Sequence, residues 1–377
     1  NGNLDINNST LEGMNGETWN GLVLENCYLT MINSSLSDTP IGVYLNNSPA
    51  QITECHFNIP DSGIGINVIG DQNIPLTIQS SEQDATTFTA IIPNQGVGIE
   101  FQSKTTPLSI TGAKFTNLAV GVDYYVSSAK ADSIDNCQFE NCLTGVNVTG
   151  SGGLYKILNC IVTVPPQGKG IFSQMYVPFI DGCGFYGGSR LNTIGIFLDY
   201  VHRGWTTRNR ANITNCTFQQ LTRGIESRGS QARLSLNFFN NNTSGIVEHQ
   251  NSNLDCSYKT FNVFLNQVDN VFFYTDSTQA YPTYCATIQL MEGHNDFYHV
   301  NGCRDFTFGF GYDYHGLNNG RIDASGNYWS ADPANGPDNQ AIIYAPDNPN
   351  VINLGHCDET PNVTNLVVIP MTRFEQH

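Results

Sequence analysis

Charge is scarce in this chain. Asp, Glu, Lys and Arg make up only 13% of its 377 residues, and 16 basic residues stand against 33 acidic ones, for a net charge of −17. Nucleic acids and anionic membrane surfaces reward clustered Lys and Arg, so neither is expected as a partner. Long apolar runs are also missing; none approaches the ~20 residues that a membrane span needs, so no membrane insertion is expected. The sequence contains no amphipathic helix pattern, no Cys-x-x-Cys pair and no Cys/His cluster with zinc spacing, which argues against helical architecture and a structural metal. It shows no signal peptide and does not begin with Met, so it reads as a mature or excised fragment.

What is present is apolar and aromatic enough for a packed interior. Hydrophobic residues account for 40% and aromatic residues for 11%, too much for a disordered chain. A length of 377 residues exceeds one ordinary globular core, which leaves two domains or one body that grows by repetition.

Repetition is written plainly. "SIDNCQFENCLTGVNV" at 133–148 returns as "NITNCTFQQLTRGIES" at 212–227. Taking the first apolar residue as the start of each unit gives Ile6, Met31, Ile52, Ile110, Ile134, Ile157, Ile180, Ile213 and Leu234, at intervals mostly of 21 to 33 residues. Three residues on lies a small column that includes Cys55, Cys137, Cys160, Cys183 and Cys216; five residues on lies a large apolar column, mostly Phe. Eleven or fifteen residues on, a Gly precedes an aliphatic residue, as in Gly121-Val122 and Gly224-Ile225. This period, with short apolar alternations between Gly, Asn, Pro and Ser, fits one coil of a solenoid. The expected fold is all-β: a right-handed, single-stranded parallel β-helix with about three short strands per coil, over 1–337. Residues 338–377 are expected to form a C-terminal cap or a linker to a following domain.

The offsets also predict a corner. The first apolar residue and the Cys column are an odd number of positions apart, so a straight strand would turn them to opposite faces. The residue just before the Cys column is Asn or Gly in seven of nine units, the types that accept a left-handed backbone, and a tight bend there turns both columns inward. Stacked Asn side chains at this corner are expected to bond from coil to coil. The cysteines of the repeat share their column with Ser and Ala, so they read as small buried thiols rather than bridges or ligands. Cys256, Cys285, Cys303 and Cys357 lie outside the clear repeat, and whether two of them pair is left open.

The Asn-Cys-x-Phe and Gly-aliphatic rungs resemble those of right-handed parallel β-helix proteins of the pectate-lyase-like superfamily. "GETWNGLVLENC" near the start resembles a segment of large secreted surface proteins from Bacteroidota, and "IDASGNYWSADPANGP" at 322–337 is similar to the ending of many bacterial β-helices. The resemblance implies a secreted, extracellular or cell-surface location. Lyases, hydrolases, adhesins and inert scaffolds share this superfamily, so fold alone assigns no activity. The Asn-Thr-Asp, Asp-Asp, Gly-His-Gly and Arg-Ile-Lys set of polygalacturonases is absent.

Two surfaces are candidates for a site. Two residues after each Gly of the Gly-aliphatic strand runs an outward column: Tyr44, Asn67, Glu100, Asp123, Asn147, Phe172, Phe197, Glu226 and Val247. Adjacent coils of a parallel sheet lie about 4.8 Å apart. Glu100 and Asp123 as neighbours would raise one carboxyl's pKa, hold a Ca²⁺ ion, or form a hydrolytic pair. The second surface is a basic band: seven of the ten Arg, including Arg190, Arg223 and Arg228, fall within 44 residues, and the loop "LDYVHRGWTTRNR" adds His202 and Trp205. The resemblance implies an Arg base acting on an acidic glycan there, while the plainer reading pairs these Arg with Asp199 and Glu226.

The leading expectation is a non-catalytic extracellular scaffold with an adhesive or carbohydrate-binding surface. Its ligand-binding residues are Glu100, Asp123, Asn147, Phe172, Phe197, Glu226, Trp205 and His202, and no cofactor is required. The partner is a polysaccharide, or a cell-surface protein in a larger assembly. The alternative is a polysaccharide lyase or glycoside hydrolase acting on an acidic glycan, with Arg223, Arg190 and Arg228 as catalytic residues and Ca²⁺ at Glu100 and Asp123.

Overall fold

The computed structural model describes residues 2–14, 17–70, 75–80, 84–103, 107–126, 132–150, 154–175, 177–188, 191–201, 210–249, 252–265, 267–273, 287–298, 304–308, 322–330, 343–344 and 352–353. Among these residues there is no α-helix. The chain divides into two compact units, Asn1–Phe179 and Ile180–Ile369. Both are parallel β-solenoids in which each coil supplies one strand to each of three sheets.

In the first unit, sheet 1 begins with Asn3–Asn7, Tyr28–Ile32 and Ala50–Thr53, sheet 2 with Thr10–Leu11, Ser35–Leu36 and His56–Ile59, and sheet 3 with Leu22–Glu25, Ile41–Asn46 and Ile64–Gly70. All pairings are parallel, and the apolar column of sheet 1 stacks in register as Ile6, Met31, Ile52, Ile78, Ile110, Ile134 and Ile157. Ile78 corrects the sequence-derived column, which ran from Ile52 directly to Ile110. In that coil an insertion delays the small residue, Thr86, to eight positions after Ile78 and the large one, Phe88, to ten. The offsets fail there although the coil forms.

The corner between sheets 1 and 2 is left-handed at every predicted position. φ is 50° at Asn8, 44° at Asn33, 52° at Asn136, 52° at Asn159 and 51° at Asn215, and also positive at Glu54, Gly112, Gly182 and Leu236. The expected side-chain ladder forms in a mixed way. Asn33 Nδ2 donates to Asn8 Oδ1 at 2.7 Å, but Asn159 donates to Asp135 at 3.0 Å and Asn215 to Asp181 at 2.8 Å. Asp135, directly before the corner Asn136, is a charged, stronger acceptor than that amide, and the corner facing Asn215 is Gly182, which has no side chain to accept.

Behind the corner the large column is a stack of rings. Phe57, Phe88, Phe115 and Phe139 lie 4.7 to 4.9 Å apart in the first unit. In the second unit Phe185, Phe218, Phe239, Phe264, Phe297 and Trp329 stack at 4.4 to 5.1 Å. Each offset pair adds ~0.5–1.5 kcal/mol beyond the area it buries. The ring also explains the Gly of the Gly-aliphatic strand: a Cβ on Gly121 would lie 2.7 Å from Phe139 Cδ1 and 2.5 Å from Gly145 O, and neither can give way.

The small column is buried throughout. Cys55, Cys137, Cys160, Cys183 and Cys216 are at most 1% exposed and remain thiols, as does the buried Cys256. Cys285, Cys303 and Cys357 lie outside the described residues. From Asn237 onward the column switches to amides, and coils continue through the aromatic stretch that sequence periodicity could not index: Asn237, Asn262, Asn295 and Asn327 are fully buried and bonded in series at 3.0, 2.9 and 2.9 Å. Each also donates to a backbone carbonyl and accepts a backbone N–H of the coil before it; for Asn262 these are Leu234 O and Asn237 N. Within 338–377, the short strands Ile343–Tyr344 and Ile352–Asn353 are described, paired to Arg304–Phe308 and Ile322–Asp323.

Candidate functional site: a polar groove on sheet 3

The column predicted from the Gly spacing is realised in register, although Phe197, Glu226 and Val247, expected to face outward, are buried. In the first unit Tyr44, Asn67, Glu100, Asp123, Asn147 and Phe172 are successive register partners on sheet 3. In the second unit Phe197, Glu226 and Val247 are register partners in the same way.

In the first unit Glu100 and Asp123 are adjacent but lean on different amides. Glu100 Oε2 accepts from Asn67 Nδ2 at 3.0 Å and Oε1 from Gln102 Nε2 at 2.6 Å, whereas Asp123 Oδ1 accepts from Asn147 Nδ2 at 2.8 Å. Burial raises the Asp123 carboxyl above its ordinary pKa and the Asn147 amide partly offsets this. The rise anticipated for one carboxyl is therefore present, but desolvation is its cause. Both Glu100 oxygens and one of Asp123 are engaged by N–H donors, and no group of three or more His, Cys, Asp or Glu able to hold a metal occurs among the described residues.

A second outward column, two residues further along the same strands, completes the surface. Gln102, Tyr125 and Thr149 are register partners beside Glu100, Asp123 and Asn147. Gln102, Asp123, Tyr125, Asn147 and Thr149 line an open groove of about 320 Å³. Tyr125 is 54% exposed, so the groove offers one aromatic face beside the Asp123 carboxylate and the polar side chains of Gln102 and Thr149. Sequence reasoning found Asp123 and Asn147 and missed the other three. The signal was available: Gln102, Tyr125 and Thr149 lie four residues after Gly98, Gly121 and Gly145, on the same strand face. Asn147 also heads an Asn-Val-Thr sequon, but its side chain is held mid-strand by Asp123. Phe172, the next register partner, carries Lys169 Nζ 4.9 Å above its ring.

The second unit's part of the basic band is a set of ion pairs. Arg223 Nη1 lies 2.5 Å from Glu226 Oε2, and His249 Nε2 lies 2.7 Å from Oε1. Burial pushes the Glu226 carboxyl up, but the His249 bond and the Arg223 charge outweigh it and hold it below the usual carboxylate range. Arg228 lies 4.0 Å from Asp199 and over the Phe197 ring at 5.5 Å, and Phe197 itself is buried. The pairing with Glu226 and Asp199 is the plainer of the two arrangements expected for the Arg band. His249, 23 residues after Glu226 and so one coil on, was not anticipated. Arg190, His202 and Trp205 lie outside the described residues.

The chain matches no known protein family, no curated protein and no solved structure.

Proposed function

We propose that this protein is a non-catalytic β-solenoid scaffold, working outside the cell or at its surface, whose sheet 3 holds out a carbohydrate-binding face. The observation that carries the reading is the groove in which exposed Tyr125 stands beside Asp123 with Gln102, Asn147 and Thr149 around them. A sugar ring presents an apolar face, which stacks on an aromatic plane, and rim hydroxyls, which pair with carboxylate and amide groups. The lining holds a carboxylate and no cation, which favours an uncharged, hydroxyl-rich glycan over an acidic one. Polar groups from successive coils stand about 4.8 Å apart, so an extended chain lying along the coils can meet one coil after another. The likeness of the rungs to pectate-lyase-like β-helices and of the N-terminal segment to Bacteroidota surface proteins supports the extracellular part of the reading. A cell-surface assembly protein is the partner in the form where the scaffold is one subunit among several.

Titration against neutral and uronate-containing polysaccharides by calorimetry tests this. A neutral glycan is expected to bind, with Tyr125→Ala weakening it about tenfold, or ~1.4 kcal/mol, because the ring supplies the groove's aromatic face. Asp123→Asn should weaken it less, since an amide still pairs with hydroxyls. No binding by any glycan, or binding unchanged in both variants, would sink the reading; release of reducing ends or of an unsaturated product would make the protein an enzyme.

A further inference from the structure

Among the described residues, the interior of the second unit contains an acid with no ion-pair partner. Glu248 ends the strand Ser244–Glu248 and is fully buried, and neither carboxyl oxygen has a hydrogen-bond partner among the described residues. Its register neighbour in the preceding coil is Ser227, also fully buried, whose Oγ likewise has no partner; beyond Ser227 lies the buried Leu198. In the following coil its register partner is Phe273. By contrast Glu226, Asp255 and Asp269 each hold an Arg nitrogen within 3.3 Å.

Among the described residues, no charged group on the surrounding strands pairs with Glu248. On Arg223–Arg228, Glu226 and Arg228 alternate away from Ser227, Arg223 and His249 are engaged with Glu226, and Arg228 lies near Asp199. On Asp269–Phe273 the acid Asp269 is paired with Arg304. On the sheet 1 side, Asp255 holds both Arg210 and Arg233, and burial raises the Cys256 thiol. The segment 274–286 that follows Phe273 contains no Lys, Arg or His.

We infer that Glu248 is carried in the folded chain as a neutral carboxylic acid, and that it acts as a proton-linked latch loosening the second unit as pH rises. An isolated carboxylate moved from water to such a site costs far more than protonation does, so the group keeps its proton instead. Burial accordingly pushes its pKa well up. The sign follows from linkage. The unfolded chain gives up this proton near pH ~4.3 while the folded chain retains it, so the stabilisation is complete below that value and is lost as pH rises toward the folded value. One proton released on unfolding lowers the folding constant about tenfold per pH unit across that window.

Infrared spectroscopy of the full chain with ¹³C-labelled Glu, together with urea unfolding from pH 5 to 8, tests the latch. A protonated-carboxyl C=O band is expected at neutral pH, absent from Glu248→Gln. The variant should also lack the tenfold-per-unit decline, with contributions from Asp123 and the His residues cancelling in the difference. No such band in the wild type, or unfolding profiles parallel in pH, would overturn the inference. The wild-type band decides the matter even if the variant fails to fold.

Discussion

The corner between sheets 1 and 2 is where single residues control the path of the chain. A left-handed φ is cheap for Gly and Asn and costs other residues roughly 1–2 kcal/mol. Seven of the nine corner positions read from sequence obey this, while Glu54 and Leu236 adopt φ of 54° and 57° regardless. They do so because the stacked strands on both sides dictate the bend; Leu236 N still donates to Thr260 O of the next coil at 2.6 Å. Leu236 is also 41% exposed, so its side chain contributes little packing. Leu236→Asn is expected to stabilise the protein by about 1 kcal/mol, read as a higher urea midpoint with unchanged slope. A lower midpoint would mean that Leu236 packs against something the corner argument ignores. The corner was legible in the sequence because its cause is local. The direction of the Asn33, Asn159 and Asn215 side chains was not, because it depends on whether an Asp stands one coil away.

At the scale of the strand and its stack, legibility tracked the regularity of the loops. The columns of sheet 3 could be drawn from Gly spacing alone, since a Cβ there collides with the ring and carbonyl of the next rung, leaving Gly no substitute. Ile78 escaped because a loop insertion displaced its companions Thr86 and Phe88, although the coil pairs in register on both sides. The amide file Asn237, Asn262, Asn295 and Asn327 escaped for a related reason: its members are 25, 33 and 32 residues apart, and only the first stands within the regular repeat. These buried amides satisfy one another and the backbone around them. Removing one strands several groups at ~1–3 kcal/mol each. Asn262→Leu, similar in volume, leaves Asn237 N–H, the Asn237 amide, Leu234 O and Asn295 Oδ1 without that partner. It is expected to cost at least ~3 kcal/mol in denaturant unfolding; a loss under ~1 kcal/mol would show that the file is packing rather than hydrogen bonding.

For the molecule as a whole, each solenoid unit converts a sequence distance of about two dozen residues into a contact between neighbours. The polar groove exists only through that conversion: Gln102, Tyr125 and Thr149 come from three coils, as do Glu100, Asp123 and Asn147. The surface was legible as far as strand alternation could carry it. How Glu100 and Asp123 divide the amides, the depth of the groove and the solitary Glu248 required three dimensions, because they depend on which side chain the adjacent coil supplies. The most direct measurement is a cross-rung cross-link. Cysteines placed at Tyr125 and Thr149 should close a disulfide on mild oxidation, since register partners one rung apart meet the Cα separation of roughly 4.4–6.8 Å that a disulfide allows. Cysteines at Tyr125 and Gln174, two rungs apart through Thr149, should not. A cross-link between 125 and 174, or none between 125 and 149 in a folded chain, would contradict the stacking on which the fold and the groove both depend.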